Sequence, residues 1–106
     1  MMKLIFNNHY TLIKLTKSKN LKSLIKFLNT PKSKNNNLII DLLDCDIDHN
    51  RIVQSLLPFH FIWQKRNNSF ILVSNIRKKI LNDLTSTRTL EEALDFFHME
   101  QLTRNI

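Results

Sequence analysis

The chain opens with two short apolar-rich runs, over residues 2–6 and 10–15, separated by the polar pair Asn7 and Asn8. Runs of this length on either side of a short polar link predict two β-strands joined by a tight turn. Because asparagine tolerates a positive φ angle, the pair can form the turn of a β-hairpin without glycine.

After this hairpin, helical spacing alternates with continuous apolar runs. Apolar residues at i, i+3, i+4 and i+7 predict a first helix over residues 21–28, with Asn20 as its N-cap. The apolar runs 38–43 and 70–73 are typical of strands that are buried on both faces.

Two further segments carry a helical pattern. Residues 52–63 predict a second helix, which Pro58 is expected to kink or split, since proline cannot donate a backbone hydrogen bond. Ile76, Ile80 and Leu84 mark a third helix.

The clearest helix signal lies near the C-terminus. The sequence from Thr89 to Glu92 matches a capping box, in which the threonine accepts from a backbone N–H and the glutamate reaches back to another. The order β-β-α-β-α-β-α-α predicts an α/β fold: a mixed sheet with right-handed crossovers, helices packed against it, an N-terminal hairpin and a C-terminal helix. The core stripe of that last helix consists of Leu90, Ala93, Leu94 and Phe97.

Composition narrows the class of protein. The chain has 106 residues, 42% of them apolar, which predicts a single domain over 1–106 with a packed core. The single cysteine, Cys45, cannot form an internal disulfide, and no apolar run approaches the roughly 18 residues of a transmembrane helix. We therefore expect a cytoplasmic protein that does not enter the membrane.

Two segments resemble the STAS domains, the family of the anti-sigma-factor antagonists. The run 38–42, followed by Ile47 and Asp48, is similar to the family's strand and the Asp-Ser-Ser-Gly turn that follows it. The segment 89–102 resembles the family's final helix, especially in the small STAS-like proteins encoded beside ribonuclease Z in some bacteria. The resemblance implies a STAS-like fold and a non-catalytic protein that binds an anti-sigma-like protein or ribonuclease Z.

The chain departs from the family at the turn that carries regulation. In phospho-switch members, a serine after the aspartate is phosphorylated, and this blocks docking to an anti-sigma kinase. Here Asp48 matches the aspartate, but His49, Asn50 and Arg51 replace Ser-Ser-Gly. No hydroxyl remains where a phosphate would meet the helix N-terminus, so we expect the switch to be lost. The segment between residues 84 and 89 is also shorter than the family's usual loop and edge strand, so the sequence does not predict whether the fifth strand is present.

The residues with catalytic or ligating side chains do not form a known site. An EF-hand loop starting at Asp44 would need glycine and glutamate where His49 and Ser55 stand. The four histidines are scattered and lack the string of zinc ligands that a hydrolase of the ribonuclease Z type needs. The carboxylates beside Cys45 disfavour its thiolate. We therefore predict no enzymatic activity and no cofactor, and we leave a looser metal site at residues 44–49 as an alternative.

The best candidates for partner binding lie in the last helix. On a helical wheel, Phe96, Met99 and Leu102 fall away from the core stripe. An apolar helix face outside the core often binds a partner, but the same residues could instead pack on a sheet edge or on the hairpin.

The distribution of charge along the chain indicates a second candidate binding surface. The formal net charge is +7, and the first 40 residues carry eight lysines and no acidic residue. A basic surface of Lys14, Lys17, Lys19 and Lys22 would make the protein a small RNA- or DNA-binding accessory, the alternative to protein binding. The composition is also what an AT-biased genome would produce, and a decaying gene product is a third reading.

Overall fold

The computed structural model describes residues 2–46, 48–77 and 83–104. Within these ranges, one sheet contains the strands β1 (Lys3–Phe6), β2 (Tyr10–Lys14), β3 (Asn37–Asp41), β4 (Phe70–Val73) and β5 (Thr85–Thr87). The helices are α1 (Asn20–Leu28), α2 (His49–Lys65) and α3 (Leu90–Arg104), with a short 3₁₀ helix at Lys32–Asn35. The predicted α/β fold, with its N-terminal hairpin and C-terminal helix, is confirmed.

The strands lie in the sheet in chain order, β1-β2-β3-β4-β5. β1 pairs with β2 in antiparallel orientation, and the three remaining pairs are parallel. Parallel neighbours need a crossover connection, and α1 and α2 supply it between β2 and β3 and between β3 and β4. β5 pairs with β4 and forms one edge of the sheet. The short segment between residues 84 and 89, for which the sequence did not predict a strand, therefore contains one.

Side chains alternate between the two faces of the central strands, and each face packs against different helices. Leu38 and Ile40 of β3 belong to a large apolar cluster with buried residues of α1 and α2. Ile39, between them, packs on the other face with Ala93 and Phe97 of α3. Leu38 through Ile40 are fully buried, as expected for a strand covered on both sides. The C-terminal helix therefore lies alone, among the described helices, on its face of the sheet.

The hairpin turn forms by a different route from the predicted one. Neither Asn7 nor Asn8 has a positive φ angle. Instead, the Oδ1 of Asn7 accepts hydrogen bonds from the backbone N–H groups of His9 and Tyr10, both at 2.8 Å. The side chain thus satisfies the donors of the turn, and the expected left-handed backbone is not needed.

The predicted N-cap of α1 is wrong by one residue. The helix begins at Asn20, and the N-cap position is Lys19, whose side chain makes no capping bond. Asn20 is buried, and its Oδ1 accepts from the backbone N–H of Lys17 at 3.1 Å and of Thr16 at 3.4 Å. The carbonyl therefore stabilises the loop that enters the helix rather than the first helical turn.

Pro58 does not split α2, which runs as one helix from His49 to Lys65. Proline removes the hydrogen bond to the carbonyl four residues earlier, on Gln54. Both residues are exposed, so water can donate to the Gln54 carbonyl in place of the lost bond. The prediction of a split is wrong for this reason.

The third predicted helix falls largely on residues 78–82, which lie outside the described residues. Its flanking residues Ile76 and Leu84 are described: both are buried in the cluster shared with α1 and α2, and neither is helical.

Candidate interaction site on the C-terminal helix

Helix α3 begins at a capping box. The backbone N–H of Glu92 donates to the Oγ1 of Thr89 at 3.1 Å, as predicted. The Glu92 carboxylate reaches back, but it accepts from the Thr89 hydroxyl at 3.2 Å rather than from a backbone N–H. The cap defines the start of the helix and therefore which residues face the sheet.

One face of α3 packs on the sheet. Ala93 and Phe97 are buried against β3 and β4, and Leu90 and Leu94 pack partly against the same cluster. The ring of Phe97 also meets Tyr10 edge to face, with centroids 5.5 Å apart. The predicted core stripe is therefore confirmed.

The opposite face exposes three large apolar side chains. The exposed fraction is 39% for Phe96, 66% for Met99 and 69% for Leu102. Phe96 and Met99 border a broad groove of about 860 Å³ between α3 and the edge strand β5. Glu92 and Asp95 on the helix and Arg88 after the strand line the same groove. The alternative in which these apolar residues pack fully on a sheet edge is not what the structure shows.

The turn before α2, on which the resemblance to a phospho-switch depends, caps a helix. The Oδ1 of Asp48 accepts from the backbone N–H of Asn50 at 3.2 Å, and His49 is the first residue of α2. Asp48, Asn50 and Arg51 are exposed. An N-cap carboxylate already occupies the position where a phosphate would interact with the first turn of the helix.

The basic surface is only partly free. Lys14 forms an ion pair with Asp44 at 3.1 Å, and the hydrogen bond and charge of Asp44 raise the pKa of its ammonium group. Lys17, Lys19 and Lys22 are exposed around the start of α1, and none of them makes an ion pair within the described residues. The acidic residue that neutralises Lys14 lies 30 positions later in the chain, so its effect was not visible in the local charge pattern.

The acidic residues after β3 do not assemble into a metal site within the described ranges: no group of three possible ligands comes together there. Cys45 is a free, partly buried thiol. Burial, with a smaller contribution from Asp46, raises the pKa of the Cys45 thiol and keeps it in the poorly nucleophilic protonated form.

A polar cleft that the sequence patterns did not predict lies at the other end of α3. It has a volume of about 380 Å³ between the second half of α2, the start of β4 and the last turn of α3. His60, Ser69, Glu100 and Arg104 line it together with Asp83. These residues are far apart in the chain, and the one local hint was a histidine inside the apolar stripe of α2.

No family model matches the chain, and neither does any curated protein. The STAS resemblance therefore depends on the residues quoted above and on the order of elements. Within the described ranges, no helix is long and apolar enough to cross a membrane.

Proposed function

We propose that this protein is a non-catalytic interaction domain of the STAS type, which binds a protein partner through the exposed apolar face of α3. The observation that carries the proposal is the exposure of Phe96, Met99 and Leu102 on a helix whose other face packs on the core. Burying a Met or Leu side chain contributes about 1.5–3 kcal/mol, so three such residues are enough to anchor an interface.

The element order supports the STAS part of the proposal. The hairpin, the alternating helices and strands and the final capped helix agree with the order that the resemblance implies, and β5 is an edge strand of the kind that the resemblance also implies. By the same resemblance, the partner is an anti-sigma-like protein or ribonuclease Z.

Binding in this proposal is constitutive. The residues at the start of α2 that match the switch, from Asp48 to Arg51, carry no hydroxyl group for a kinase to modify, and Asp48 already caps the helix. Mass spectrometry of protein purified from its native cells should therefore find no stoichiometric phosphate on residues 48–51.

The test of the interface is a titration of the purified protein against ribonuclease Z and against the anti-sigma-like proteins of the same organism. Phe96→Asp and Met99→Asp should each weaken binding at least about tenfold, because a charge replaces an apolar contact in the desolvated interface. His98→Asp is the matched control, since His98 is exposed on the same helix and receives the same new charge. Its affinity should stay within about twofold of the original.

Two results would contradict the proposal: no binding to any of these partners, or an equal loss in the control and the two test variants. Circular dichroism of all three variants separates an interface effect from unfolding, since exposed residues should tolerate the change.

The three free lysines favour one second candidate, a nucleic-acid-binding accessory. Lys17, Lys19 and Lys22 form an exposed basic group near the start of α1, far in sequence from the α3 face. The two functions use different residues and are separable by mutation.

A further inference from the structure

The edge strand β5 has backbone groups that no described strand pairs with. It lies at the end of the sheet and pairs with β4 alone. The backbone N–H of Ser74 donates to the carbonyl of Thr87 at 2.9 Å, so the N–H and C=O of Thr87 point toward β4. Because these groups alternate in direction along a strand, the N–H and C=O of Ser86 point away from β4, to the open edge.

A groove follows this open edge. The groove of about 860 Å³ between α3 and β5 is lined by all three residues of the strand, Thr85, Ser86 and Thr87, each of which is half-buried. Successive side chains of a strand point to opposite faces of the sheet, so a cavity that all three residues line extends along the edge itself rather than over one face. The groove therefore has room for a chain segment beside β5.

The apolar side chains of the groove indicate what such a segment carries. Phe96 and Met99 of α3 line the groove and are exposed, and the buried residues Ile76 and Leu84 line it as well. A strand beside β5 directs every second side chain toward the face of the sheet on which α3 lies. Apolar side chains at those positions would cover Phe96 and Met99 and remove their surface from water.

Charge distinguishes β5 from the other edge of the sheet and distinguishes between possible occupants. A lysine on an edge strand discourages pairing with another strand, and β1 carries the exposed Lys3. β5 has the uncharged sequence Thr-Ser-Thr. A second copy of this chain is a poor occupant, since each copy has a formal net charge of +7 and the two would repel. These charges favour a segment of a different protein.

We propose that the protein partner supplies an extended segment that pairs with β5 as a sixth strand, with apolar side chains against Phe96 and Met99. The Ser86 N–H donates to this segment, and the Ser86 carbonyl accepts from it. In strand addition of this kind, main-chain hydrogen bonds supply affinity and alternate side chains supply specificity. The inference rests on the proposed function, because it names the form of the segment that covers part of the exposed α3 face.

The test uses the N-acetylated, C-amidated hexapeptide Thr-Val-Thr-Val-Thr-Asp, which alternates apolar and polar side chains and carries one acidic residue for solubility. Amide hydrogen exchange of the full chain is followed by NMR with and without saturating peptide. The peptide should slow exchange at Ser86 at least about tenfold, because this N–H gains an acceptor. Exchange at Thr87 should change less than about twofold, since its N–H already points to β4.

Two methylated forms of the peptide distinguish backbone pairing from side-chain contact. One carries N-methyl groups on both valines, and the other carries them on the second and third threonines. The amides of alternate residues point to opposite edges of an added strand, so only one of the two forms should lose affinity, by at least about tenfold. Equal affinities of the two methylated forms would overturn the proposal.

Ser86→Pro removes the outward N–H from the protein without removing a hydrogen bond to β4, because an edge strand accepts proline where the N–H faces outward. This change should weaken binding of the unmethylated peptide at least about tenfold. Ser86→Ala is the matched control: it keeps the N–H and loses only the side-chain hydrogen bond with Ser74 at 3.1 Å. Its affinity should stay within about twofold of the original. Circular dichroism checks that both variants fold; if Ser86→Pro does not, the methylated peptides and the amide exchange decide.

The same variants separate this inference from the proposed function. If ribonuclease Z or an anti-sigma-like protein loses affinity for Phe96→Asp but not for Ser86→Pro, the α3 interface stands and strand addition is overturned. Binding of the peptide at β5 when neither of these partners binds would support strand addition and contradict only the named partners. Strand addition is also overturned if millimolar peptide leaves exchange at Ser86 unchanged. A dimer of this chain that Ser86→Pro abolishes would overturn it as well, since a second copy would then occupy the edge.

Discussion

Short polar side chains perform the turn-forming role of glycine in this chain, which contains none. Asn7, Asn20, Asp41 and Asp48 each accept a hydrogen bond from a nearby backbone N–H. Such local bonds satisfy donors that would otherwise lack a partner at the ends of strands and helices. The richness in asparagine is therefore structural at several positions, whatever its genomic origin.

Asn67 takes the conformational role of glycine most directly. It has a φ angle of 59°, the one positive value among the described residues, and it follows the C-cap of α2. The backbone N–H of Asn68 donates to Trp63 and that of Asn67 to Gln64, which is the hydrogen-bond pattern of a Schellman motif.

We predict that Asn67→Ala destabilises the protein by about 1 kcal/mol, because a Cβ without a polar group disfavours the left-handed region. Asn67→Gly should cause no loss, since glycine adopts this conformation freely. Urea denaturation followed by circular dichroism measures both. Equal stability of the two variants would show that the backbone angle at this position has no energetic weight.

At the scale of elements, α3 has two faces with different tasks. The buried side chains of Ala93 and Phe97 attach the helix to the sheet, whereas Phe96, Met99 and Leu102 face outward. The capping box at Thr89 defines the first turn and so the rotation of both faces.

We expect Thr89→Ala to lower the free energy of unfolding by about 1 kcal/mol, because the N–H of Glu92 loses its acceptor. Thr103→Ala is the control on the same helix: its hydroxyl donates only to the Met99 carbonyl, which is already within the helix. A loss below about 0.5 kcal/mol is expected there. Thermal denaturation of both variants with matched baselines measures these changes. If the two variants lose the same free energy of unfolding, the capping bond does not stabilise the helix.

At the scale of the whole molecule, charge is distributed unevenly. The first 40 residues contain eight lysines and no acidic residue, yet the fold brings Lys14 beside Asp44. The basic surface is therefore smaller than the sequence count implies, and its free members are Lys17, Lys19 and Lys22.

If the alternative function holds, binding to duplex DNA or RNA should weaken steeply with salt, with a slope of about −3 in a plot of log K against log salt for three lysines. Changing Lys14, Lys17, Lys19 and Lys22 together to glutamate should abolish it, and Lys14→Glu alone should have the smallest effect of the four single changes. The matched control applies the same charge change at Lys3, Lys26, Lys32 and Lys65. Equal losses in the two quadruple variants would point to net charge alone and exclude this surface.

Much of the architecture was predictable because it depends on local pattern. The central strands, the core stripe of α3 and its capping threonine follow from spacing and from side-chain chemistry within a few residues. The exact role of a residue such as Asn20 was not predictable, because an N-cap and a side chain that folds back on its loop use the same carbonyl oxygen.

The two candidate sites differ in how far the sequence predicted them. Helical periodicity alone separated Phe96, Met99 and Leu102 from the core stripe, and their exposure agrees with that prediction. The cleft was not predictable, since His60 lies in α2, Asp83 in a turn and Glu100 in α3, and the three residues meet only in the folded chain, near the start of β4.

The sequence by itself thus determined the first four strands, the three α-helices and the two faces of α3, because each depends on the pattern of neighbouring residues. The tertiary structure alone decided which charges are paired and which polar groups are buried without a partner. Lys14 is paired with Asp44, and the Nδ1 of His60 has no hydrogen-bond partner within the described residues. Both outcomes depend on contacts between distant segments, whose free energies follow burial and distance rather than sequence spacing.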